Sequence, residues 1–263
     1  MNLKRPTWFK KNINNELINF LKLYIKRPIK NNIGGMRINH MFSLYFILKK
    51  IRPDFVIESG VYRGQSTWLI EKTLPEAKLL SIDPNLNNRI YISKKAKYSI
   101  IDFKYQNFEK IPKNTLVFFD DHQSHLDRIM QCKFFKIKHI VLEDNYTANK
   151  GDFYSLKHLL RGSGFVHKPG RLSLLKTLYI LFKMTIKKII NQDYIINIDI
   201  LNSRLRDRIV NQNEKRNLKK HIKTYYVLPK IKINKNKKIK SYVIKNYKNE
   251  IKSYNYITYL KLN

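Results

Sequence analysis

The sequence predicts an α/β fold in which helices cover both faces of a mostly parallel sheet, and three observations predict it. Short apolar runs end abruptly in glycine or acidic residues: Val56-Ile57 before Glu58-Ser59-Gly60, Leu79–Ile82 before Asp83, Leu116–Phe119 before Asp120-Asp121-His122, and His139–Leu142 before Glu143-Asp144-Asn145. Segments of helical length separate these runs, as βαβ units require. The runs are continuously apolar rather than alternating, which is how strands buried on both faces of a parallel sheet read.

Each element follows in order. Residues 7–26 place Leu17, Phe20, Leu21, Tyr24 and Ile25 at helical spacing, and Pro28 ends that helix. Gly34-Gly35-Met36-Arg37 is a turn by default; a lid or a substrate contact through Arg37 is the other reading. A second helix is expected over 39–50, with Met41, Leu44, Tyr45 and Leu48 inward, ending before Pro53. Strands are expected at 55–58, 78–82, 98–102, 116–119 and 139–142, and helices at 66–73, 91–97 and 123–132. Residues 168–224 read as basic helices, 225–228 and 256–262 as strands, and the Lys/Asn-rich stretch 230–240 as a solvated loop. The organisation expected is a helical extension over 1–50, a ligand-binding core over 51–164, and a basic helical insertion with the last sheet strands over 165–263.

The 263-residue chain carries a formal charge of +34, which raises nucleic acid or an anionic membrane as partners. The distribution weakens the nucleic-acid reading. Residues 1–50 hold 11 basic and 1 acidic residues, 51–160 hold 17 and 13, and 161–263 hold 25 and 5. The motif-bearing segment is therefore nearly balanced. Of the cations, 40 are Lys and 13 Arg, and Lys, Asn, Ile and Tyr all have AT-rich codons, so genome bias accounts for much of the excess. Cys132, the single cysteine, reads as a buried structural thiol. No signal peptide precedes Lys10, and no uncharged apolar run reaches membrane-spanning length. Leu172–Ile190 comes nearest, but its lysines make it a basic amphipathic helix. The expected location is the cytoplasm, with peripheral contact at the inner face of the membrane.

The chemistry lies at the strand ends. Glu58, Gly60, Gly64 and Ser66 form a strand–glycine turn–helix junction, where backbone can approach a ligand closely and helix N–H groups are free. The glycines stand four apart, so the dinucleotide fingerprint is missing and a pyrophosphate is not favoured. Asp83 can take a ribose diol, and Asp102 can meet an adenine amino group. Asp120, Asp121, Glu143 and Asp144 end neighbouring strands. Crowded carboxylates repel, and a divalent cation such as Mg²⁺ or Mn²⁺ bound by Asp120, Glu143 and Asp144 relieves the conflict; helix capping is the competing reading. His122 and His125 follow, and His122, nearer the strand end, ranks first as a base. His40, His139, His158, His167 and His221 receive no role.

This order of motifs resembles the class I S-adenosyl-L-methionine-dependent methyltransferases, a Rossmann-like three-layer sandwich. The words VIESGVYRGQSTWLI, SIDPN, FFDDHQSH and VLEDNY are similar to those of the subgroup containing cephalosporin hydroxylase-like proteins and rhamnosyl and macrocin O-methyltransferases. The likeness covers about residues 34–160 and returns at YYVLPKI and YNYITYLKL, which look like a final antiparallel strand pair. The resemblance implies S-adenosylmethionine held by Glu58, Gly60, Gly64, Ser66, Asp83 and Asp102. It implies a metal between Asp120, Glu143 and Asp144, with Asp120, Asp121 and His122 as catalytic candidates. The implied reaction is methyl transfer to a sugar hydroxyl of a glycan, glycolipid or glycosylated metabolite. A nucleic-acid methyltransferase and a non-catalytic glycan- or membrane-associated protein on the same fold are the alternatives.

Overall fold

The apolar runs become the centre of one sheet. In the computed structural model, which describes residues 3–9, 13–147, 150–161, 178–179, 182–183, 185–186, 189–190, 212–231 and 237–263, seven strands form it. They are β1 (Phe55–Ser59), β2 (Lys78–Ile82), β3 (Ala96–Ser99), β4 (Thr115–Phe119), β5 (His139–Leu142), β6 (Ile222–Val227) and β7 (Thr258–Leu262), in the order β3-β2-β1-β4-β5-β7-β6. The first five are parallel; β7 runs antiparallel to both β5 and β6. The sheet order reverses between β1 and β4, the position where open α/β sheets form a crevice at their carboxyl edge.

Alternation along the strands divides the core in two. Val56, Phe118, Val141 and Tyr259 face α1 (Ile13–Tyr24), α2 (Ile38–Ile51), α3 (Gln65–Thr73) and α7 (Lys237–Ile251). Ile57, Val117, Phe119, Ile140 and Leu260 face α4 (His125–Phe134), α5 (Leu156–Arg161) and α6 (Gln212–His221). The three-layer sandwich with its terminal antiparallel pair is the fold class expected. Each fully buried Phe or Leu here contributes about 1.5–3 kcal/mol by leaving water.

Helix α2 is buried without a break from Ile38 to Leu48. Its polar residues need partners inside the protein and find them: Asn39 donates to the carbonyls of Ile251 and Ser253, Ser43 to that of Asn39, and His40 meets Glu143.

Several local expectations are corrected. The segment 91–97 is not helical, and β3 spans Ala96–Ser99 instead of 98–102. Ser93 decides this: its hydroxyl accepts from the backbone N–H of Lys95 and Ala96, and its own N–H donates to the Tyr98 hydroxyl. That turn chemistry competes with a helix. Helix α1 begins at Ile13, after a turn closed by the Phe9 N–H on the Pro6 carbonyl, and Ile25 is exposed. Of the helices expected over 168–224, residues 212–221 form one and 222–227 are a strand. Most of Leu172–Ile190 lies outside the described residues. In the expected loop 230–240, residues 237–240 already open α7, and 232–236 lie outside the described residues. Among the described residues no helix is long and apolar enough to cross a membrane.

Candidate active site

Parallel pairing puts Ser59 beside Ile82 and Phe119, and Phe119 beside Leu142. The residues that follow each strand therefore emerge on one edge of the sheet. Two cavities open there. The first, about 280 Å³, is lined by Gly60, Asp83, Asp102, Asp120, Asp121 and Arg128 among others. The second, about 380 Å³, is lined by His40, Asp120, His122, Glu143, Asp144 and Tyr254 among others. They share Asp120, His122 and the turn residues Gly34 and Gly35.

The glycine loop is fixed by Asp83. One carboxylate oxygen accepts from the N–H groups of Val61 (2.8 Å) and Tyr62 (3.0 Å), the other from that of Asn85 (2.8 Å). A carboxylate has about four acceptor sites, so one remains for a ligand hydroxyl. Gly60 and Gly64 adopt φ of +99° and +84°. A Cβ on Gly60 would lie 2.1 Å from the Asp120 carbonyl oxygen, and one on Gly64 would lie 2.3 Å from that of Tyr91. Both glycines are thus required by neighbouring backbone, where the ligand's own space was the expected reason.

Glu58 and Ser66 sit behind the cavities and line neither. Glu58 is fully buried and accepts from the hydroxyls of Thr67 (2.6 Å) and Ser81 (2.7 Å). Burial raises its pKa to about 7, although the Ser66, Thr67 and Ser81 hydroxyls favour the ionised form. Ionising Glu58 therefore costs the folded state more than the unfolded one. Its contribution to stability is fully present below pH 4.5 and is lost as pH rises through 7. Glu58→Gln should abolish that loss, on the order of 3 kcal/mol. Urea unfolding at pH 4.5 and 8.5 measures it; equal pH slopes in variant and wild type would refute the account.

Asp102 and Asp121 are both held by Arg128. Its guanidinium donates to Asp102 at 2.9 and 2.7 Å and lies 2.8 Å from Asp121. Asp121 also accepts from the Ser59 hydroxyl at 2.6 Å. Arg128 was not singled out from sequence, because a lone arginine in an amphipathic helix reads as solvated.

Asp120 stands between the cavities. Burial raises its carboxyl well above the ordinary range; Glu143 and Asp144 push it further, against a lowering contribution from His122. His122 has a left-handed backbone (φ 55°), and its Nδ1 lies 3.1 Å from Asp152. Burial alone would lower the ring, but Asp152, Asp120 and Asp144 bring it to about 9. These carboxylates favour the protonated ring, which works against the expected role of base. His125 is buried and accepts from the Leu156 N–H; it lines neither cavity.

Glu143 meets His40, which came with no expected role. Burial lowers His40 to about 4, so its ring is neutral. Burial and then Asp144 raise Glu143. Asp144 accepts from the Tyr146 hydroxyl at 2.5 Å. Tyr146 and Tyr254 wall the second cavity, and Tyr256 packs against both. The sequence did contain a weak signal for His40: a titratable residue between Ile38 and Met41 in a helix that is mostly apolar as far as Leu48.

The expected trio Asp120, Glu143 and Asp144 does not form a metal-binding group; among the described residues no cluster of three His, Cys, Asp or Glu is placed to hold an ion. A smaller donor set remains. Glu143 Oε2 and Asp144 Oδ1 are buried acceptors without a hydrogen-bond partner. Such a pair fits Mg²⁺, which takes one or two carboxylates and fills its shell with water and substrate oxygens.

Fold and site together define a Rossmann-like α/β protein with two joined cavities at the carboxyl edge of its sheet. No family model and no curated protein matches the sequence. Among solved structures, the chain is similar to CmcI with SAH, at 15% identity over 42% of this chain and 62% of that one, TM-score 0.37. It is similar to the O-methyltransferase from Bacillus cereus with SAH, at 13% identity over 51% and 66%, TM-score 0.34. It is also similar to the plantazolicin methyltransferase BpumL with a monoazolic desmethylPZN analog and SAH, at 12% identity over 97% and 91%, TM-score 0.39. The chain thus spans less than two thirds of the first two proteins.

Proposed function

We propose that the protein is an S-adenosylmethionine-dependent O-methyltransferase acting on a sugar hydroxyl of a glycan, glycolipid or glycosylated metabolite. The observation that carries this is the meeting of two cavities at Asp120. The first is lined by Asp83, Asp102 and Asp121 and suits a cationic ligand rich in hydroxyl and amino groups. The second joins carboxylates to a tyrosine wall, which suits a hydroxylated ring. S-adenosylmethionine supplies an electrophilic methyl on a sulfonium. Asp83 would hold the ribose, and Asp102, fixed by Arg128, would meet the adenine amino group. Bound there, the cofactor would give its methyl to the acceptor oxygen, leaving the electron pair of the carbon–sulfur bond on sulfur, and Asp120 would take the hydroxyl proton. A carboxylate of raised pKa suits that step. His122 remains protonated and offsets the negative charge around Asp120. Glu143 and Asp144 would hold Mg²⁺, which lowers the pKa of a bound hydroxyl. Most of the rate comes from holding oxygen and methyl carbon in line. The basic flanks support peripheral contact with an anionic membrane from the cytoplasm.

Asp83→Ala tests the cofactor assignment. S-adenosylmethionine affinity should fall by about 1.5–3 kcal/mol, the scale of a hydrogen bond to a charged group. Calorimetry showing unchanged affinity would remove Asp83 from the site, and no binding to the wild type would remove the function. For the metal, Asp144→Asn should leave S-adenosylmethionine affinity intact and cut turnover about 100-fold or more. A chelator should do the same to the wild type, reversibly on adding Mg²⁺. Activity that survives both treatments would leave Glu143 and Asp144 as a proton-sharing pair.

A further inference from the structure

A third cavity, about 290 Å³, adjoins the tyrosine-walled one, with Met36 and Arg37 lining both. Its character is opposite. Arg27, Lys30 and Arg37 line it, with Glu250 as the one acid. Arg27 is buried beneath it, packed over the Tyr24 ring at 4.1 Å and paired with Glu250 at 2.8 Å. That pair cancels, so the charges of Lys30 and Arg37 are left over, both on exposed side chains. Arg37 is also the N-cap of the 14-residue α2, which has no side-chain cap, so the positive end of that helix dipole adds to the field.

We propose that this cavity is a phosphate subsite, and that the acceptor is a hydroxylated ring carried on a phosphate. The ring part rests on the methyl-transfer reading; the phosphate part does not. The ring lies against Tyr254 and the carboxylates, and the phosphate reaches Arg37 and Lys30 across the shared wall. Two surplus cations match a phosphate dianion, and a guanidinium suits its paired oxygens. Lys30 and Arg37 draw the phosphate to the outer cavity, where no carboxylate but the paired Glu250 offsets them, and Tyr146 and Tyr254 leave the inner cavity to the ring. Orientation of the acceptor follows from this charge step between adjoining cavities.

The test is calorimetry with inorganic phosphate on the full chain at fixed ionic strength. Because a chain of charge +34 attracts anions everywhere, the comparison needs a charge-matched control. Lys30→Gln/Arg37→Gln removes two charges from the cavity; Lys97→Gln/Lys110→Gln removes two exposed charges elsewhere. The wild type should bind phosphate saturably at one site. The cavity variant should lose affinity at least about tenfold and the control less than about twofold. Arg37→Lys, which keeps the charge, should retain part of the affinity, and unchanged melting temperatures should confirm folding. Equal losses in the two double variants, or binding that never saturates, would overturn the subsite. S-adenosylmethionine binding on the same preparations separates the two claims. Phosphate binding without it leaves the subsite and removes the methyltransferase; the converse removes the subsite alone. Competition identifies the source of the phosphate. Displacement by a soluble hexose 1-phosphate marks a soluble acceptor, and displacement by phosphatidylcholine vesicles carrying phosphatidic acid marks a lipid one. Displacement by neither would overturn the phosphorylated acceptor.

Discussion

Asp120→Asn should lower turnover by about 10²–10⁴ while making the folded protein more stable at alkaline pH. The two effects have one cause. Asp120 lines both cavities, and its carboxyl is raised by burial and by the charges of Glu143 and Asp144. That is what a proton acceptor at the junction needs, and it is also a cost to the fold. A raised carboxyl favours the folded state below pH 3.8 and withdraws that support as pH climbs through the folded pKa. Asparagine keeps the shape and removes the charge. Melting temperatures should therefore coincide near pH 3.5 and diverge at pH 8, with the variant higher. S-adenosylmethionine affinity should persist, which separates loss of the base from loss of the site. A variant that retains turnover would move the base elsewhere. A variant less stable at pH 8 would mean that Asp120 is held by favourable contacts rather than strained.

Arg128→Ala should cost about 3–5 kcal/mol of stability. The guanidinium is buried, bonded to Asp102 and Asp121 and to Gln131 at 2.9 Å, and stacked near Phe103 and Phe119. Burial works against its charge, and Asp121 and Asp102 more than restore it, so its pKa lies above that of free arginine. Removing it leaves two carboxylates facing each other at the rim of the first cavity. The triple variant Arg128→Met, Asp102→Asn, Asp121→Asn removes the charges together and should recover most of the loss. Denaturant unfolding measures both. If the triple variant is as unstable as the single one, the penalty belongs to packing against Phe103 and Phe119, not to uncompensated charge. S-adenosylmethionine binding should weaken in Arg128→Ala even where the protein is folded, because Asp102 loses its orientation.

Membership of the strand ends was legible in the sequence because parallel strands announce themselves: continuous apolar runs, each closed by a glycine or an acid. The four buried runs and the edge on which Asp83, Asp120 and Glu143 gather follow from that pattern alone, whereas β3, which is not an apolar run, was misplaced. Local competition blurred the rest. Around Ser93, side-chain hydrogen bonds to the backbone outcompeted a plausible helix, and in the basic carboxyl-terminal part lysines and asparagines erased the periodicity that marks an element.

By itself the sequence determined the sheet, its direction and the residue types at its carboxyl edge, because burial and chain reversal are written in residue order. Only the tertiary structure decided the roles. Glu58 turned away under α3 to meet Thr67 and Ser81. His122 gained a carboxylate neighbour 30 residues on, which favours its protonated form. His40 met Glu143 across about 100 residues of chain and became part of the second cavity. Charge state depends on burial and on the nearest charge, and both are set by contacts between segments far apart in the chain.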